Sequence, residues 1–198
     1  MPKARSARPA NRPSRRHEIL RAATELLADQ QPDEIAVSDI AAECGMTPAA
    51  FYYHFASKDE ILDEIVATFA ADWSTQVDQA LDAVASADDI PDAVDTLMGW
   101  IDDNDRAARV YFVTSIGATT ASEVVRRNTR DELARKAARA YRRAAGHEDK
   151  IRQALSGLGL MTLLEIAARS RLEDDTTYRT LGSAGFRAVT GRLGEALL

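Results

Sequence analysis

From His17 onward the apolar residues of this 198-residue chain recur at the three-to-four spacing of helices rather than in the alternation of strands, which confines the fold to packed helices. Ile19, Ala22, Ala23, Leu26 and Leu27 make a first stripe, stopped by Gln30, Gln31, Pro32 and Asp33. Val37, Ile40, Ala41 and Cys44 repeat the pattern over two turns, with Ser38 placed to cap the first turn and Gly45 to supply the left-handed residue that ends the second. Thr47 caps a third start, Pro48 takes the first helical position, and Phe51 and Phe55 form a buried i, i+4 pair. Three short helices are predicted within residues 17–56.

Ser57, Lys58, Asp59 and Glu60 spell a capping box, in which the serine accepts from the Glu60 N–H and the glutamate reaches back to the serine N–H. The helix it opens carries Ile61, Ile65, Phe69, Trp73 and Val77 or Ala80 on one face and runs toward Ala85, long enough to connect two units. After breaks at residues 88–91 and 102–105, further helices are expected around residues 94–101, 122–145, 148–169 and 176–197. Residues 110–116 are β-branched and aromatic and would suit a strand, but no partner strand is visible, so a helix is expected there as well.

Composition narrows the chemistry. The single cysteine, Cys44, and three scattered histidines exclude a disulfide scaffold and zinc-ligand spacing. The longest uncharged stretches, residues 110–122 and 153–164, are too short for the ~20 residues of a membrane span. With no secretory or twin-arginine signal visible, a soluble, cytoplasmic protein is expected. Residues 1–16 hold six basic side chains and no acidic one, leaving 19 basic against 31 acidic in the remainder. A disordered basic arm (residues 1–16) therefore precedes an acidic body; it either seeks an anion or serves as a solubilising tail.

Residues 38–55 form a helix, a glycine turn and a second helix, the arrangement that places its second helix in the major groove and that also occurs in protein cores. If Phe51 and Phe55 face inward, then Thr47, Pro48, Ala49, Ala50, Tyr52, Tyr53 and His54 face outward. Small residues at the leading end permit close approach to base edges, and tyrosine and histidine can hydrogen-bond phosphates. Helix starts at Ser38, Thr47 and Ser57 add unpaired N–H groups, and Lys58, which opposes the dipole of its own helix, implies a nearby anion.

The run VSDIAAECGMTPAAFYYHFASKDEIL, residues 37–62, closely resembles the DNA-binding signature of the TetR family of bacterial transcriptional regulators. The resemblance spans about 45 residues with the first helix; the remainder matches in length and helical character alone. It implies that Tyr52, His54 and Lys58 hold operator phosphates and that Thr47, Pro48, Ala49, Ala50 and Tyr53 face bases, with Ser38 at a helix start beside them. Ala49 departs from the glycine many members carry, and Cys44 from their usual alanine. The architecture expected is an N-terminal helix-turn-helix domain (residues 17–56) joined by a long helix to a helical effector-binding and dimerisation domain (residues 57–198).

Within that domain the resemblance implies a small-molecule effector pocket in the middle helices, with Phe69, Trp73, Leu97, Trp100, Tyr111, Thr114, Leu158, Met161 and Glu165 as candidates, although aromatic stripes also build plain cores. The last two helices carry wide apolar faces and four glycines, Gly157, Gly159, Gly182 and Gly185, taken first as homodimer contacts. The basic residues from Arg126 to Arg142 are expected to form a solvated face, and Asp102, Asp103 and Asp105 a solvated turn. With no phosphate loop, nucleophile elbow or zinc motif, no catalytic residue, metal or cofactor is expected, and the expected partner is double-stranded operator DNA. A helical protein-interaction module without DNA binding, or an enzyme, is the alternative.

Overall fold

The computed structural model describes residues 15–146 and 149–197. Among the described residues the regular structure is nine α-helices, α1 (Arg15–Asp29), α2 (Val37–Glu43), α3 (Pro48–Tyr52), α4 (Lys58–Asp82), α5 (Ile90–Asp103), α6 (Asp105–Arg109), α7 (Thr120–Ala145), α8 (Lys150–Leu172) and α9 (Thr176–Glu195), with a 3-10 turn at Ala87–Asp89 and a π turn at Val110–Thr114. No strand occurs among the described residues, and none of their helices is long and apolar enough to cross a membrane. Residues 1–14 of the predicted basic arm lie outside the described residues. Arg15 and Arg16, assigned to that arm by sequence, are instead the first turn of α1.

The starts of α3 and α4 are capped as predicted, whereas α2 and the second half of the Ser57 box differ. Thr47 Oγ1 accepts from the Ala50 N–H at 3.2 Å, and Ser57 Oγ from the Glu60 N–H at 3.1 Å. The Glu60 carboxylate reaches one residue further than expected and accepts from the Ala56 N–H at 2.7 Å. Ser38 does not cap α2: Ala36 occupies the cap, and the Asp39 carboxylate accepts from its N–H at 2.8 Å, leaving Ser38 exposed in the first turn. Gly45 takes the left-handed conformation, φ +60°, that the turn into α3 requires.

At ~1.5 Å per residue, the 25 residues of α4 span about 37 Å. Ile61 and Leu62 pack with Ile19, Ala23, Phe51 and Phe55, while Phe69, Trp73 and Val77 belong to the same continuous core farther along. One helix thus shares its apolar face between the small three-helix unit and the body.

Residues 110–116 are neither strand nor regular α-helix. Val110–Thr114 forms a π turn in which the Ser115 N–H reaches back five residues to the Val110 carbonyl at 3.0 Å. The wider turn buries Tyr111 and Phe112 together. In the body, α7 packs most extensively on α8, and α5 on α9.

Several charged and small residues of the body are engaged within the chain, which departs in part from the expected solvated turn, solvated face and glycine contacts. The Asp102 carboxylate accepts from Arg171 Nε at 2.6 Å and from Arg187, and Asp105 accepts from Arg171 at 3.1 Å, so this acidic cluster joins α5 and α6 to α8 and α9 instead of forming a solvated turn. On α7, Arg126 donates to Ser115 O at 2.7 Å, Lys136 to Asp78 at 2.5 Å and Arg143 to the Leu81 carbonyl at 2.8 Å, so that row is not simply solvated. Gly157 lies against the α7 backbone at Ala134 and Ala138, Gly159 against Leu197, and Gly182, at φ +65°, breaks α9. Of the four predicted dimer glycines, Gly182 has nothing within 4 Å of its Cβ position and Gly185 only its own Leu181 at 3.7 Å.

Candidate nucleic-acid interface

Phe51 and Phe55 are fully buried, their rings 6.2 Å apart, and anchor α3 from beneath. That anchoring turns the opposite side of the helix outward. Thr47, Pro48, Ala49 and Ala50 are all exposed at its leading end, followed by Tyr52, 57% exposed, and Tyr53, 88% exposed. Two tyrosines this exposed, beside the small residues Ala49 and Ala50 near the helix tip, suit a surface that approaches a groove. The His54 ring is half-buried and stands edge-on to Tyr53 at 5.3 Å.

Lys58 is placed differently from the sequence argument. Its ammonium donates to the Pro32 carbonyl and, at 2.7 Å, to the Ile35 carbonyl, tying the start of α4 to the α1–α2 loop. Those carbonyls supply the negative pole that the unfavourable dipole position seemed to demand of an external anion. Arg16 was missed as a structural residue. Its guanidinium lies 3.9 Å from the Phe55 ring centroid, donates to the His54 carbonyl at 2.5 Å, and pairs with Glu60 and Glu64. It clasps α1 to the corner between α3 and α4, and its only sequence signal was its position one turn before Leu20. Cys44 Sγ sits 3.6 Å from the Glu18 carbonyl, and burial pushes its thiol up, away from the reactive thiolate.

A second cation joins this unit to the body. Arg106, on α6, donates to Glu25 at 2.9 Å, to the Glu25 carbonyl at 2.6 Å and to both Asp29 oxygens at 2.7 and 2.5 Å. Hydrogen bonds from Arg106 hold the Asp29 carboxyl below the usual carboxylate range. A lowered folded-state value stabilises above the unfolded value and is lost as the pH falls through the folded one. Arg106→Ala should therefore melt below the wild type at pH 7, with the difference closing as acid protonates Asp29; a difference constant from pH 7 to 2 would mean that the side chain acts by packing alone.

The predicted effector residues do not line one pocket. Phe69 packs against Trp100, Tyr111 and Phe112 with ring centroids 5.2, 4.8 and 5.6 Å apart, and Trp73 against Trp100 and Phe112 at 5.8 and 5.7 Å. Trp73, Leu97 and Met161 are buried core, whereas Phe69 and the half-buried Trp100 line a separate cavity of about 280 Å³ between α1, α4 and α5. Thr114 is buried at the end of the π turn, beside a separate groove near Lys58, and Leu158 is exposed on α8. Tyr111 and Glu165 do meet at a cavity of about 230 Å³ between the π turn, α7 and α8. Burial drives the Glu165 carboxyl up and the Tyr111 hydroxyl up to about 12. Glu165 pairs with Arg130 across the helices at 3.7 Å, not with Arg169 on its own helix. Among the described residues no group of histidine, cysteine and acidic side chains is arranged to hold a metal.

A short capped helix held up by a buried aromatic pair, after a second short helix and a glycine turn, has the geometry of a helix-turn-helix unit. Residues 19–65 match the model of bacterial regulatory proteins, tetR family. The HTH-type transcriptional repressor KstR2 of Mycolicibacterium smegmatis is 35% identical over 65 residues, 33% of this chain and 31% of that repressor, so the match spans under a third of the relative. Two solved structures share the fold over almost the whole chain. The fatty acid degradation regulator FadR from Bacillus halodurans superposes with TM-score 0.72 at 12% identity, covering 94% of this chain and 96% of that one. FadR from Bacillus subtilis, in complex with stearoyl-CoA, gives 0.68 at 14% identity, covering 91% and 96%.

Proposed function

We propose that the protein is a ligand-responsive transcriptional repressor that binds a two-fold-symmetric operator as a homodimer and releases it when a small molecule enters the body. The observation that carries this is the outer face of α3, with Thr47 to Ala50 leading and Tyr52 and Tyr53 exposed beside them. In this reading Thr47, Pro48, Ala49, Ala50 and Tyr53 meet base edges, and Tyr52, His54 and the N-terminal end of α2 at Ser38 meet phosphates. Lys58 reaches a phosphate only by exchanging its carbonyl partners. The site of action is the cytoplasm, where the DNA is. Selection of full-length protein on pooled random-sequence duplexes tests the reading. Enrichment of a palindromic sequence whose binding weakens steeply with salt is the expected result, and no retention of any duplex at low salt overturns it.

The homodimer is supported by α8, whose exposed Ile151, Leu155, Leu158 and Ile166 form a stripe, joined by Leu181 and Leu193 on α9. Phe186 is not part of it, being buried against Tyr178 at 5.2 Å. Leu155→Arg, at a position 64% exposed, should give monomers by light scattering with unchanged helix content, whereas intact dimers would place the interface elsewhere. The effector is assigned to the cavity between the π turn, α7 and α8. At about 230 Å³ it is smaller than the ~300–1,000 Å³ of drug-sized sites and takes no whole acyl-CoA of the kind bound by FadR of Bacillus subtilis.

A further inference from the structure

The charges around the cavity between the π turn, α7 and α8 do not balance. One wall is a single face of α7, bearing Glu123, Arg126, Arg127 and Arg130; the facing wall is α8, with Arg169 a turn beyond Glu165. Arg126 is fully occupied: it donates to Ser115 Oγ at 2.6 Å, to the Ser115 carbonyl at 2.7 Å and to Glu123. Arg130 has Glu165 at 3.7 Å from a terminal nitrogen, while its Nε is buried with no hydrogen-bond partner. Arg127 and Arg169 have no acceptor or ion-pair partner among the described residues, and both are exposed at the cavity mouth. Two exposed guanidinium groups therefore share one opening with no hydrogen-bonded or ion-paired anion of their own, Glu123 lying on the same wall and Arg130 Nε buried without a partner beside them. A buried donor left unsatisfied carries a desolvation penalty, and neighbouring like charges repel.

The remaining surface is apolar. Tyr111 and Phe112 are brought there together by the π turn, with Ile116 beyond them and Ile166 opposite. The volume, about 230 Å³, exceeds the ~150 Å³ that suffices for benzene and falls short of drug-sized sites.

We propose that this cavity takes a small apolar carboxylate, a monoanion whose carboxyl group lies between Arg127, Arg130 and Arg169 and whose ring or short chain rests on Tyr111, Phe112, Ile116 and Ile166. The carboxylate accepts from planar guanidinium groups in paired fashion. A phosphate ion would leave the aromatic side unused and would bring a second negative charge toward Glu165. The proposal rests on the effector reading for its regulatory meaning, but ligand binding itself is measured without DNA.

Calorimetric titration of the full-length protein with benzoate, phenylacetate, cyclohexanecarboxylate and hexanoate, beside benzamide and inorganic phosphate, tests it. At least one carboxylate should bind, with benzamide at least about tenfold weaker, and Arg127→Ala and Arg169→Ala should each cost about tenfold without lowering the melting temperature. Because both side chains are exposed and unpaired, neither variant threatens folding. Silence from all four carboxylates, benzamide binding as tightly as benzoate, phosphate binding as tightly as any carboxylate, or affinity indifferent to both arginines overturns the proposal. Adding the bound acid to a protein–duplex complex separates the two readings. Arginine-dependent binding without duplex release keeps the ligand class and removes the effector role. Release by benzamide but by no carboxylate keeps the effector role and removes the ligand class.

Discussion

Ala50→Glu should abolish duplex binding while leaving the fold intact or slightly firmer. Ala50 is exposed at the third position of α3, and its N–H is already held by Thr47 Oγ1 at 3.2 Å. A glutamate there completes a capping box with Thr47 and places a negative charge at a helix N-terminus, both stabilising. Against a nucleic-acid surface the same carboxylate meets phosphates and base edges rich in acceptors. Juxtaposed like charges cost several kcal/mol, so affinity should fall by about 100-fold or more for every sequence. Fluorescence anisotropy with an enriched duplex, together with a thermal melt, distinguishes the outcomes. Retained affinity with an unchanged melt would remove α3 from the interface.

Gly157→Ala should be the most damaging single-methyl addition in the body. A Cβ at that position would lie 2.6 Å from the Ala138 amide nitrogen and closer still to the Ala134 carbonyl, both part of the α7 backbone. Backbone within a long helix cannot rotate away, so α7 and α8 must separate along their main packing seam. Overpacking of this kind costs about 1–3 kcal/mol, against which better helix propensity returns up to about 1. A net loss of about 1 kcal/mol should lower the melting temperature by about 2–4 °C in a chain of this size. Gly185→Ala is the control, since its Cβ would meet only Leu181 at 3.7 Å; its melting temperature should hold or rise. Equal effects at the two positions would mean that Gly157 is not seated against α7.

The recognition unit was legible in the sequence because its signals are local. Thr47, Pro48 and Gly45 act through backbone geometry within a few residues, and Phe51 and Phe55 lie one turn apart, so their burial and the exposure of Tyr52 and Tyr53 follow from helical periodicity. Ser38 shows how narrow that margin is. Asp39, one residue on, caps α2 better by reaching the Ala36 N–H, and no propensity argument ranks two adjacent caps.

What the body does with its residues was legible only as helices. Tyr111 and Glu165 meet at one cavity and Phe69 and Trp100 at another, while Trp73, of the same chemistry and helical spacing, is buried in the core, because the partner that covers a side chain lies far along the chain. The glycines are a parallel case: one residue type serves as a contact point at Gly157 and a break at Gly182, and only the neighbouring helix distinguishes them. Charges depend on distant partners in the same way, with Arg16 meeting Glu64 across 48 residues, Arg106 meeting Glu25 across 81 and Arg187 meeting Asp102 across 85. The sequence by itself determined an all-helical chain with a helix-turn-helix unit at its N-terminal end, since periodicity and capping are written within a turn or two. Which cations clasp that unit to the body, which aromatics are core and which arginines face a cavity were decided by the tertiary structure alone, because burial and pairing are properties of contacts between helices that no local pattern encodes.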